Sequence, residues 1–371
     1  MDFSDKDYYY MKKVLELAKK GEGYTSPNPM VGAVVVKDGE IVGKGYHQYY
    51  GGPHAEVYAL DEAGDKAKGA TIYVNLEPCS HYGKTLPCSL KIINSGIKRV
   101  VAAMKDPNPK VAGRGFEMMR NEGIKVDVAL MQKEAKKLNE IFIKHISSDY
   151  PFVILKSAQT LDGYLATSKG DAKWVTSKKA RLYGHKLRHK VDAILVGINT
   201  VINDNPSLTT RLENKEGKDA IRIVLDSNLK ISEKAKIINQ ESEAKTFIIC
   251  GENIDKEKKK ILKEKEKVEI ISFKLKEKGN IPLKKLLRFL HDKKDISSIL
   301  VEGGGKVNYS FLEENLIDKY YNFIAAKILG GSDGVSVFSG NGPVKMKEAI
   351  SLKEVEKEKV GKDFLIKGYL N

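Results

Sequence analysis

The side chains of this sequence that are best suited to chemistry lie between residues 54 and 88. His54 and Glu56 share one short segment, and Cys79 and Cys88 each follow a proline. One imidazole and two thiolates can hold Zn²⁺ and leave its fourth position for a water molecule that becomes nucleophilic at neutral pH. A carboxylate beside the metal, but not bound to it, can then move protons. We therefore predict a catalytic zinc site with His54, Cys79 and Cys88 as ligands and Glu56 as the proton shuttle.

The spacing of the two cysteines is longer than in the usual form of such sites. The order His-x-Glu and then Pro-Cys-x-x-Cys is the signature of zinc-dependent deaminases that act on nucleobases. Here eight residues, Ser80 to Pro87, separate the cysteines where two are usual. A longer loop can still bring both thiolates to one ion. Two other interpretations stay open: a structural zinc with His81 as fourth ligand, and ordinary buried cysteines near an unrelated histidine.

The rest of the sequence places these residues in the first of two domains. At 371 residues the chain is too long for one ordinary hydrophobic core. The polar segment Ser147 to Pro151 suits a boundary near Asp149, so we expect domains over 1–148 and 149–371. The net charge of +15 divides into +4 before this boundary and +11 after it. Most of the excess is lysine mixed with glutamate, which favours solubility over base recognition, so we expect no nucleic-acid partner.

Strand and helix patterns alternate in both predicted domains. The first has helix patterns over 5–20, 54–63, 90–95, 115–121 and 132–146, and strand patterns over 30–37, 41–46, 71–76, 99–103 and 126–130. Because parallel strands need helical crossovers, this alternation indicates a three-layer α/β/α domain with a mixed sheet. The second has strand patterns over 152–158, 193–196, 221–225, 246–250, 268–273 and 298–301. The clearest helix between them is Ser177 to His189, with Ser177 as N-cap, so we expect a second α/β domain.

Hydropathy and cysteine usage bear on where the protein works. The longest apolar runs are far shorter than a membrane span, and the N-terminus lacks the pattern of a signal peptide. Three cysteines are a poor basis for a secreted disulfide framework. We expect a cytoplasmic protein without membrane contact and, since homo-oligomers are common, one that self-associates.

The segments around the candidate ligands resemble those of a known family, the bifunctional deaminase-reductases of riboflavin biosynthesis. The matching segments are Thr25 to Val34, Gly45 to His47, His54 to Glu56, Glu77 to Cys88 and Asp106 to Pro109. The eight-residue spacer is that family's own form. The resemblance implies a cytidine-deaminase-like domain that converts a diaminopyrimidinone carrying a phosphoribosylamino group to the corresponding aminouracil. It further implies that Asn28, His47 and Lys84 contact this small phosphorylated pyrimidine, although by themselves they suit a turn, a strand end and a loop.

The resemblance continues in the second domain. It covers Lys156 to Gly163, Trp174 to Ser177, Asn203 to Arg211 and Val301 to Gly305. It implies a dihydrofolate-reductase-like α/β domain that uses NADPH to reduce the ribose to a ribityl chain. The glycines at 303–305 lie between a predicted strand and a predicted helix, where a backbone can approach a pyrophosphate, although a close-packed turn explains them equally well. The implied cofactor-binding residues are Ala158, Trp174, Thr200, Asp204, Ser227, Gly303, Gly304 and Gly305.

The same resemblance assigns substrate-binding and catalytic residues to this domain. The implied substrate-binding residues are Arg188, Leu208, Arg211 and Glu302. Guanidinium groups suit phosphate oxygens, although solvated surface charge is the alternative for both arginines. Lys156, Asp204 and Glu302, each expected at or near a strand end, are candidates for orienting the sugar or delivering the proton.

Three further residues carry weaker expectations. Ala172 stands where the family often has a polar substrate contact, and alanine has no side-chain hydrogen bond to offer. Trp174 by itself would indicate core packing. Cys250 is expected to be inert.

Two other functions stay open from the sequence. A deaminase that acts on a tRNA or DNA base would share the zinc site, but the nearly neutral first domain lacks the expected basic stripe. A non-enzymatic zinc-stabilised binding protein would share the ligands and make no use of Glu56.

Overall fold

The computed structural model describes residues 3–82, 86–108, 112–213 and 217–370. The chain divides into two compact units, Met1–Ser148 and Asp149–Asn371. Each unit has its own sheet and its own hydrophobic core. None of the helices in the described ranges combines the length and the apolar composition that crossing a membrane requires.

The first unit is built on a five-stranded mixed sheet, as predicted. Its strands are β1 (Gly32–Lys37), β2 (Glu40–Tyr46), β3 (Thr71–Val74), β4 (Arg99–Ala102) and β5 (Lys125–Val128), in the order β2-β1-β3-β4-β5. β1 pairs antiparallel with β2 and β3, whereas β3, β4 and β5 are parallel. The carboxyl ends of β3 and β4 therefore lie at one edge of the sheet, where the segments that follow them can meet.

The helices of this unit are α1 (Asp5–Ala18), α2 (Ala55–Ala63), α3 (Cys88–Asn94), α4 (Arg114–Asn121), α5 (Gln132–Leu138) and α6 (Glu140–Ser147). The prediction of one closing helix over 132–146 is wrong, because Asn139 separates α5 from α6. Its amide accepts a hydrogen bond from the Met30 N–H (2.8 Å) and donates one to the Met30 carbonyl (3.0 Å). Side-chain bonds to backbone groups compete with helix continuation.

Glycines on β2 set the position of α2. A Cβ at Gly45 would lie 2.5 Å from the Ala55 carbonyl oxygen, and one at Gly43 would overlap the carbonyl oxygen of Ala59. The helix therefore packs directly on the strand backbone. This packing fixes the start of α2, where His54 is the N-cap residue.

The second unit contains a nine-stranded sheet in the order β11-β10-β9-β8-β12-β6-β13-β16-β15. Its strands are β6 (Phe152–Gln159), β8 (Ala193–Gly197), β9 (Ile221–Leu225), β10 (Thr246–Gly251), β11 (Val268–Phe273), β12 (Ser298–Val301), β13 (Lys319–Ile324), β15 (Lys353–Val360) and β16 (Asp363–Tyr369). Pairing is parallel from β11 to β13 and antiparallel at β16 and β15. Two short strands, β7 (Tyr164–Ala166) and β14 (Val335–Ser336), pair separately.

All six strands predicted for this unit are present, but the five at β7 and β13 to β16 were not predicted. β15 shows why. It reads KEVEKEKV, is mostly exposed and forms the edge of the sheet. Charged side chains protect an edge strand from pairing with other chains, and they also remove its apolar pattern.

The helices of the second unit are α7 (Lys178–Lys190), α8 (Ile198–Asp204), α9 (Lys236–Asn239), α10 (Lys256–Lys263), α11 (Leu283–Lys294) and α12 (Gly305–Glu313). The predicted N-cap of α7 is confirmed, since the Ser177 hydroxyl accepts a hydrogen bond from the Ala180 N–H at 3.4 Å. The expectation that Asp204 lies at or near a strand end is wrong, because Asp204 is the exposed last residue of α8. Lys156 lies in the carboxyl-terminal half of β6, three residues before its end.

Candidate active sites

The three predicted metal ligands converge in the first unit. His54 Nδ1 lies 3.2 Å from Cys88 Sγ and 3.6 Å from Cys79 Sγ, and the three ligand atoms are all within 4.8 Å of one another. Usual zinc bond lengths give a tetrahedral nitrogen-to-sulfur separation of about 3.5 Å. These residues therefore fit a zinc ion. His81 is exposed and does not belong to this cluster, so its geometry does not support the four-ligand structural site.

Local structure explains how the long cysteine spacer is closed. Cys79 follows β3, and Cys88 is the first residue of α3. The backbone N–H of Cys88 donates to Cys79 Sγ (3.3 Å), and the Ser89 N–H donates to the Cys79 carbonyl (3.1 Å). The Cys88 thiol is the main cause of a lowered pKa for Cys79, about 4, and His54 adds to it against the effect of burial. A thiolate is the form that ligates zinc.

Glu56 lies in the first turn of α2, directly beside these ligands. It is 3% exposed, and its Oε2 has no hydrogen-bond partner among the described residues. Burial raises its pKa, against the positive charge of His54. A buried carboxylate oxygen without a partner is rare in folded proteins and indicates a functional group or a missing ligand. The arrangement suits a group that takes up and returns a proton.

Asn28 and His47 lie close to the ligand cluster, and the two side chains contact each other. His47 is 2% exposed, and its ring meets the His54 ring edge-on at 5.7 Å. Its Nδ1 lies 3.0 Å from the Pro53 carbonyl oxygen, and its Nε2 lies 3.3 Å from Asn28 Nδ2. A carbonyl oxygen can only accept and an amide nitrogen only donate, so Nδ1 donates to Pro53 and Nε2 accepts from Asn28; burial also lowers the pKa of His47. Lys84, the third predicted substrate contact, lies outside the described residues.

The second unit has a cleft of about 720 Å³ at the carboxyl ends of its parallel strands. A cavity of this size can enclose a small-molecule ligand. The predicted site residues that line it are Lys156, Ala158, Arg188, Thr200, Asp204, Leu208, Glu302, Gly303, Gly304 and Gly305, together with Ala172. Trp174 and Arg211 are not among its lining residues. Ser227 lines an adjoining cavity of about 600 Å³, which shares Leu225, Lys306 and Val307 with the cleft.

Arg188 and Glu302 form a two-point ion pair in this cleft. Arg188 Nη2 donates to Glu302 Oε2 at 2.6 Å, and Nε donates to Oε1 at 3.3 Å. Arg188 Nη1 also donates to the Thr209 carbonyl at 3.1 Å. The side chains are only 16% and 11% exposed, so the interpretation of Arg188 as solvated surface charge is wrong. Burial by itself would raise the pKa of Glu302, but Arg188 and Lys156 outweigh it and hold that pKa at about 2.

The surroundings of Lys156 in this cleft suit a group that donates a proton. Within the described part of the chain its ammonium makes no hydrogen bond or ion pair, and it lies 6.0 Å from the Phe323 ring centre. Burial lowers its pKa below the ordinary lysine value. A lysine that gives up its proton more readily than usual is suited to general acid catalysis.

The glycines between β12 and α12 leave the backbone open to a ligand. Gly304 is the N-cap of α12, and no atom lies within 4 Å of where its Cβ would be. A Cβ at Gly303 would come within 2.7 Å of the Val307 side chain. Gly303 therefore belongs to a close-packed turn, whereas Gly304 leaves the N-terminus of α12 open. Exposed backbone N–H groups at a helix N-terminus suit a phosphate.

Trp174 and Cys250 have clear but different surroundings. Trp174 is 63% exposed, and the Arg181 guanidinium lies 4.3 Å from its ring centre, so the prediction of core packing is wrong.

Cys250 is fully buried, and burial raises the pKa of its thiol. A buried, protonated thiol agrees with the expected inert role.

The sequence did not point to His185, which contacts the segment that carries the predicted substrate-binding residue Arg211. Its Nδ1 accepts a hydrogen bond from the Arg211 N–H at 3.2 Å. Burial, reinforced by the charges of Arg188 and Arg211, lowers its pKa to about 4. The available signal was its position three residues before Arg188, which places both side chains on one face of a helix.

Comparisons with known proteins assign this arrangement to a family. Residues 151–366 match the family model described as the RibD C-terminal domain, and residues 4–104 match the cytidine and deoxycytidylate deaminase zinc-binding region. A riboflavin biosynthesis protein RibD of Aquifex aeolicus is 48% identical over 367 residues, which is 97% of each chain. The chain belongs to the RibD family.

Solved RibD structures match the whole chain. One of Acinetobacter baumannii has 35% identity and a TM-score of 0.88 over 99% of both chains. A Thermotoga maritima protein named as a diaminohydroxyphosphoribosylaminopyrimidine deaminase and 5-amino-6-(5-phosphoribosylamino)uracil reductase has 40% identity and a TM-score of 0.86, again over 99% of both. The protein is thus a bifunctional enzyme of riboflavin biosynthesis, with a zinc-binding type of deaminase domain before a reductase domain. The nucleic-acid deaminase and the non-enzymatic alternative are not favoured.

Proposed function

We propose that the first unit deaminates 2,5-diamino-6-(5-phosphoribosylamino)pyrimidin-4-one to 5-amino-6-(5-phosphoribosylamino)uracil, and that the second reduces the ribose of this product with NADPH. The observation that carries the proposal is the buried, unpartnered Glu56 oxygen beside three converging zinc ligands. The Thermotoga maritima relative is named for both activities. Self-association and a cytoplasmic location stay predictions from the sequence.

In the deaminase site, His54, Cys79 and Cys88 would hold the metal. Zinc bound there supplies the activation of water that hydrolytic deamination requires at neutral pH. Glu56 takes one proton from the attacking water and delivers it to the ring nitrogen; it then takes the second proton from the newly formed hydroxyl group on the ring carbon and delivers it to the departing amine, which leaves as ammonia. Burial raises the pKa of Glu56, which favours uptake of a proton. Asn28, which His47 orients, contacts the pyrimidine, and Lys84 contacts the substrate on the ribose-phosphate side.

In the reductase site, the cleft and the adjoining cavity would hold NADPH. Gly303, Gly304 and Gly305 approach its pyrophosphate, and Ser227 contacts its far end in the second cavity. The remaining cofactor contacts would come from Ala158, Trp174, Thr200 and Asp204. NADPH supplies a hydride to the ribose carbonyl carbon. Lys306 and Val307 line both cavities, so the two cavities are adjacent and one extended ligand would pass beside these residues.

The same reduction needs one proton at the ribose oxygen. Glu302 is ionised throughout the neutral range because Arg188 holds both of its oxygens, so it orients the sugar and does not donate a proton. Lys156 is the donor, since its ammonium makes no hydrogen bond to a described residue and burial lowers its pKa against the charge of Glu302. Leu208 packs beside the substrate, and the exposed guanidinium of Arg211 is left to bind the phosphate, because that of Arg188 is engaged.

A two-part assay on the purified protein tests this assignment. With NADPH and the diaminopyrimidinone phosphate present, ammonia release should begin first, and NADPH oxidation should follow it. With the aminouracil phosphate, NADPH oxidation should occur without ammonia. Zinc should be present at one equivalent per chain. Absence of ammonia release from the zinc-loaded protein would contradict the deaminase assignment.

A further inference from the structure

A second buried glutamate of the deaminase unit makes contacts that the proposed chemistry does not use. Glu77 is 3% exposed and lies two residues before Cys79. Its Oε2 accepts hydrogen bonds from the backbone N–H groups of Asp106 (3.1 Å) and Gly113 (2.9 Å), and its Oε1 accepts one from Gly115 (3.0 Å). Hydrogen bonds to an ionised acceptor are stronger than neutral ones. Three of them hold this carboxylate in one orientation.

The three N–H donors belong to two separate pieces of backbone. Asp106 follows β4, whereas Gly113 is the N-cap of α4 and Gly115 lies in its first turn. Gly113 has a φ of +90° and no side chain with which to cap the helix. Glu77 supplies that cap from another element, and a negative charge at a helix N-terminus is stabilising. It thereby joins the end of β4 and the start of α4 to the segment that carries a zinc ligand.

Other contacts place this junction beside the metal cluster. The backbone at Gly115 packs against the Pro78 carbonyl oxygen so closely that a Cβ there would overlap it. The Asp106 carboxyl group is half-buried, and its Oδ1 accepts a hydrogen bond from the Asn108 N–H at 2.8 Å. Asp106 is tied to the segment of the ligand Cys79, because Glu77, two residues before Cys79, accepts the hydrogen bond of the Asp106 N–H.

We propose that Glu77 is a positioning residue for deamination, which fixes the backbone at Asp106, Gly113 and Gly115 against the segment that carries Cys79. The inference rests on the proposed deaminase function. Loss of the tether would release Asp106 and the start of α4 and leave His54, Cys79 and Cys88 in place. The expected signature is weaker substrate binding with zinc retained.

The test substitutes Glu77→Gln, which keeps the size of the side chain. Its amide nitrogen would face at least one of the three N–H donors, so at least one hydrogen bond is replaced by a repulsive contact. Asp7→Asn is the matched control. Asp7 is 4% exposed and holds Ser4, Tyr73 and Arg99, of which Arg99 begins β4 at the end opposite to Asp106.

We expect Glu77→Gln to raise the KM of deamination on the order of tenfold, with a smaller change in kcat and with one zinc per chain. NADPH oxidation with the aminouracil phosphate should stay unchanged. Amide hydrogen exchange at Asp106 and Gly115 should become faster than in the wild type. Asp7→Asn should lower the unfolding temperature without any of these changes.

Wild-type KM and wild-type exchange in Glu77→Gln would overturn the inference, as would an equal rise of KM in Asp7→Asn. If Glu77→Gln does not fold, Gly115→Ala tests the same junction, because its added Cβ pushes α4 away from Pro78; an unchanged KM there also overturns it. If the wild type releases no ammonia, the proposed function fails, and hydrogen exchange still decides whether Glu77 holds this backbone.

Discussion

Glu56 and Glu302 are both largely buried glutamates beside a candidate reaction centre, yet their surroundings shift their pKa values in opposite directions. Glu56 keeps an oxygen without a partner, and burial raises its pKa. Glu302 has both oxygens on the Arg188 guanidinium, and its pKa is held at about 2. Environments that separate the pKa values of like groups assign them to different tasks.

The difference supports the proposed proton-transfer groups of the two units. In the deaminase site burial raises the pKa of the Glu56 carboxyl group, which favours its protonated form. In the reductase cleft the Glu302 carboxylate stays charged, whereas burial lowers the pKa of Lys156 and raises that of Asp204, another residue that lines the cleft. The comparison therefore predicts that a substitution in one site reduces the activity of that unit and leaves the activity of the other unit unchanged.

The largest effect should follow loss of a zinc ligand. Cys88→Ser should leave the chain without bound zinc and with no detectable ammonia release, because two ligands do not hold the metal against a chelator. The reductase site lies in the other unit, so NADPH oxidation should be retained. Metal analysis and the two assays on the same preparation check this, and parallel loss of both activities would contradict the independence of the sites.

Lys156→Met should lower the kcat of reduction by about 10²- to 10⁴-fold, the usual worth of a general acid. The wild type should lose activity as the pH rises through the pKa of Lys156, which burial places below the ordinary lysine value of 10.5. Lys156→Arg keeps the charge but releases no proton in this range. An active Lys156→Arg variant with an unchanged pH profile would exclude Lys156 as the donor.

Arg188→Gln should destabilise the protein by about 3–5 kcal/mol, since it leaves Glu302 buried without its hydrogen-bonded partner and with only the charge of Lys156 to offset its own. The matched control is Arg288→Gln, because Arg288 pairs with Asp149 at the surface and such pairs contribute about 0–1 kcal/mol. Chemical unfolding measures the free energy of unfolding of both variants. Equal losses of stability in the two would contradict a stabilising role of the buried Arg188–Glu302 pair.

The same pair predicts a pH dependence. The pKa of Glu302 is lower in the folded than in the unfolded protein, so the stabilisation from this pair is complete well above 4.5 and declines as the pH falls towards about 2. In Arg188→Gln that decline should become smaller, because the folded pKa of Glu302 rises when the guanidinium is lost, while the unfolded pKa stays the same. Unfolding curves at a series of pH values show whether it does.

The smallest effect should come from Trp174. Its ring is mostly exposed and stacks on Arg181, so Trp174→Ala should leave stability within about 0.5 kcal/mol of the wild type. The proposed contact of its ring with NADPH would be worth about 0.5–1.5 kcal/mol as an aromatic contact, a few-fold to about tenfold change in Kd. Titration followed by NADPH fluorescence measures this. A large loss of stability would restore the core-packing interpretation.

How far the sequence predicts each site depends on how local the contacts are. The ligands His54, Cys79 and Cys88 lie on short segments whose strand and helix patterns are clear, so their convergence was predictable. The family resemblance named Arg188 and Glu302 individually, but their ion pair joins residues 114 positions apart. No local pattern encodes such a contact, and the prediction of Arg188 as a substrate-binding residue did not include it.

The fold shows the same limit. Apolar strands in the middle of each sheet were predicted because burial on both faces leaves a continuous apolar run. The edge strand β15 was not predicted, because its charged side chains hide the strand pattern even though its partner β16 is the next strand along the chain. The break at Asn139 was not predicted, because it depends on a contact with the distant Met30.

The most direct measurement is the effect of Glu56→Gln on the two activities of one preparation. Ammonia release should fall by about 10²- to 10⁴-fold, while zinc stays at one equivalent per chain and NADPH oxidation with the aminouracil phosphate is unchanged. Ammonia release at the wild-type rate would contradict the assignment of Glu56 as the proton shuttle.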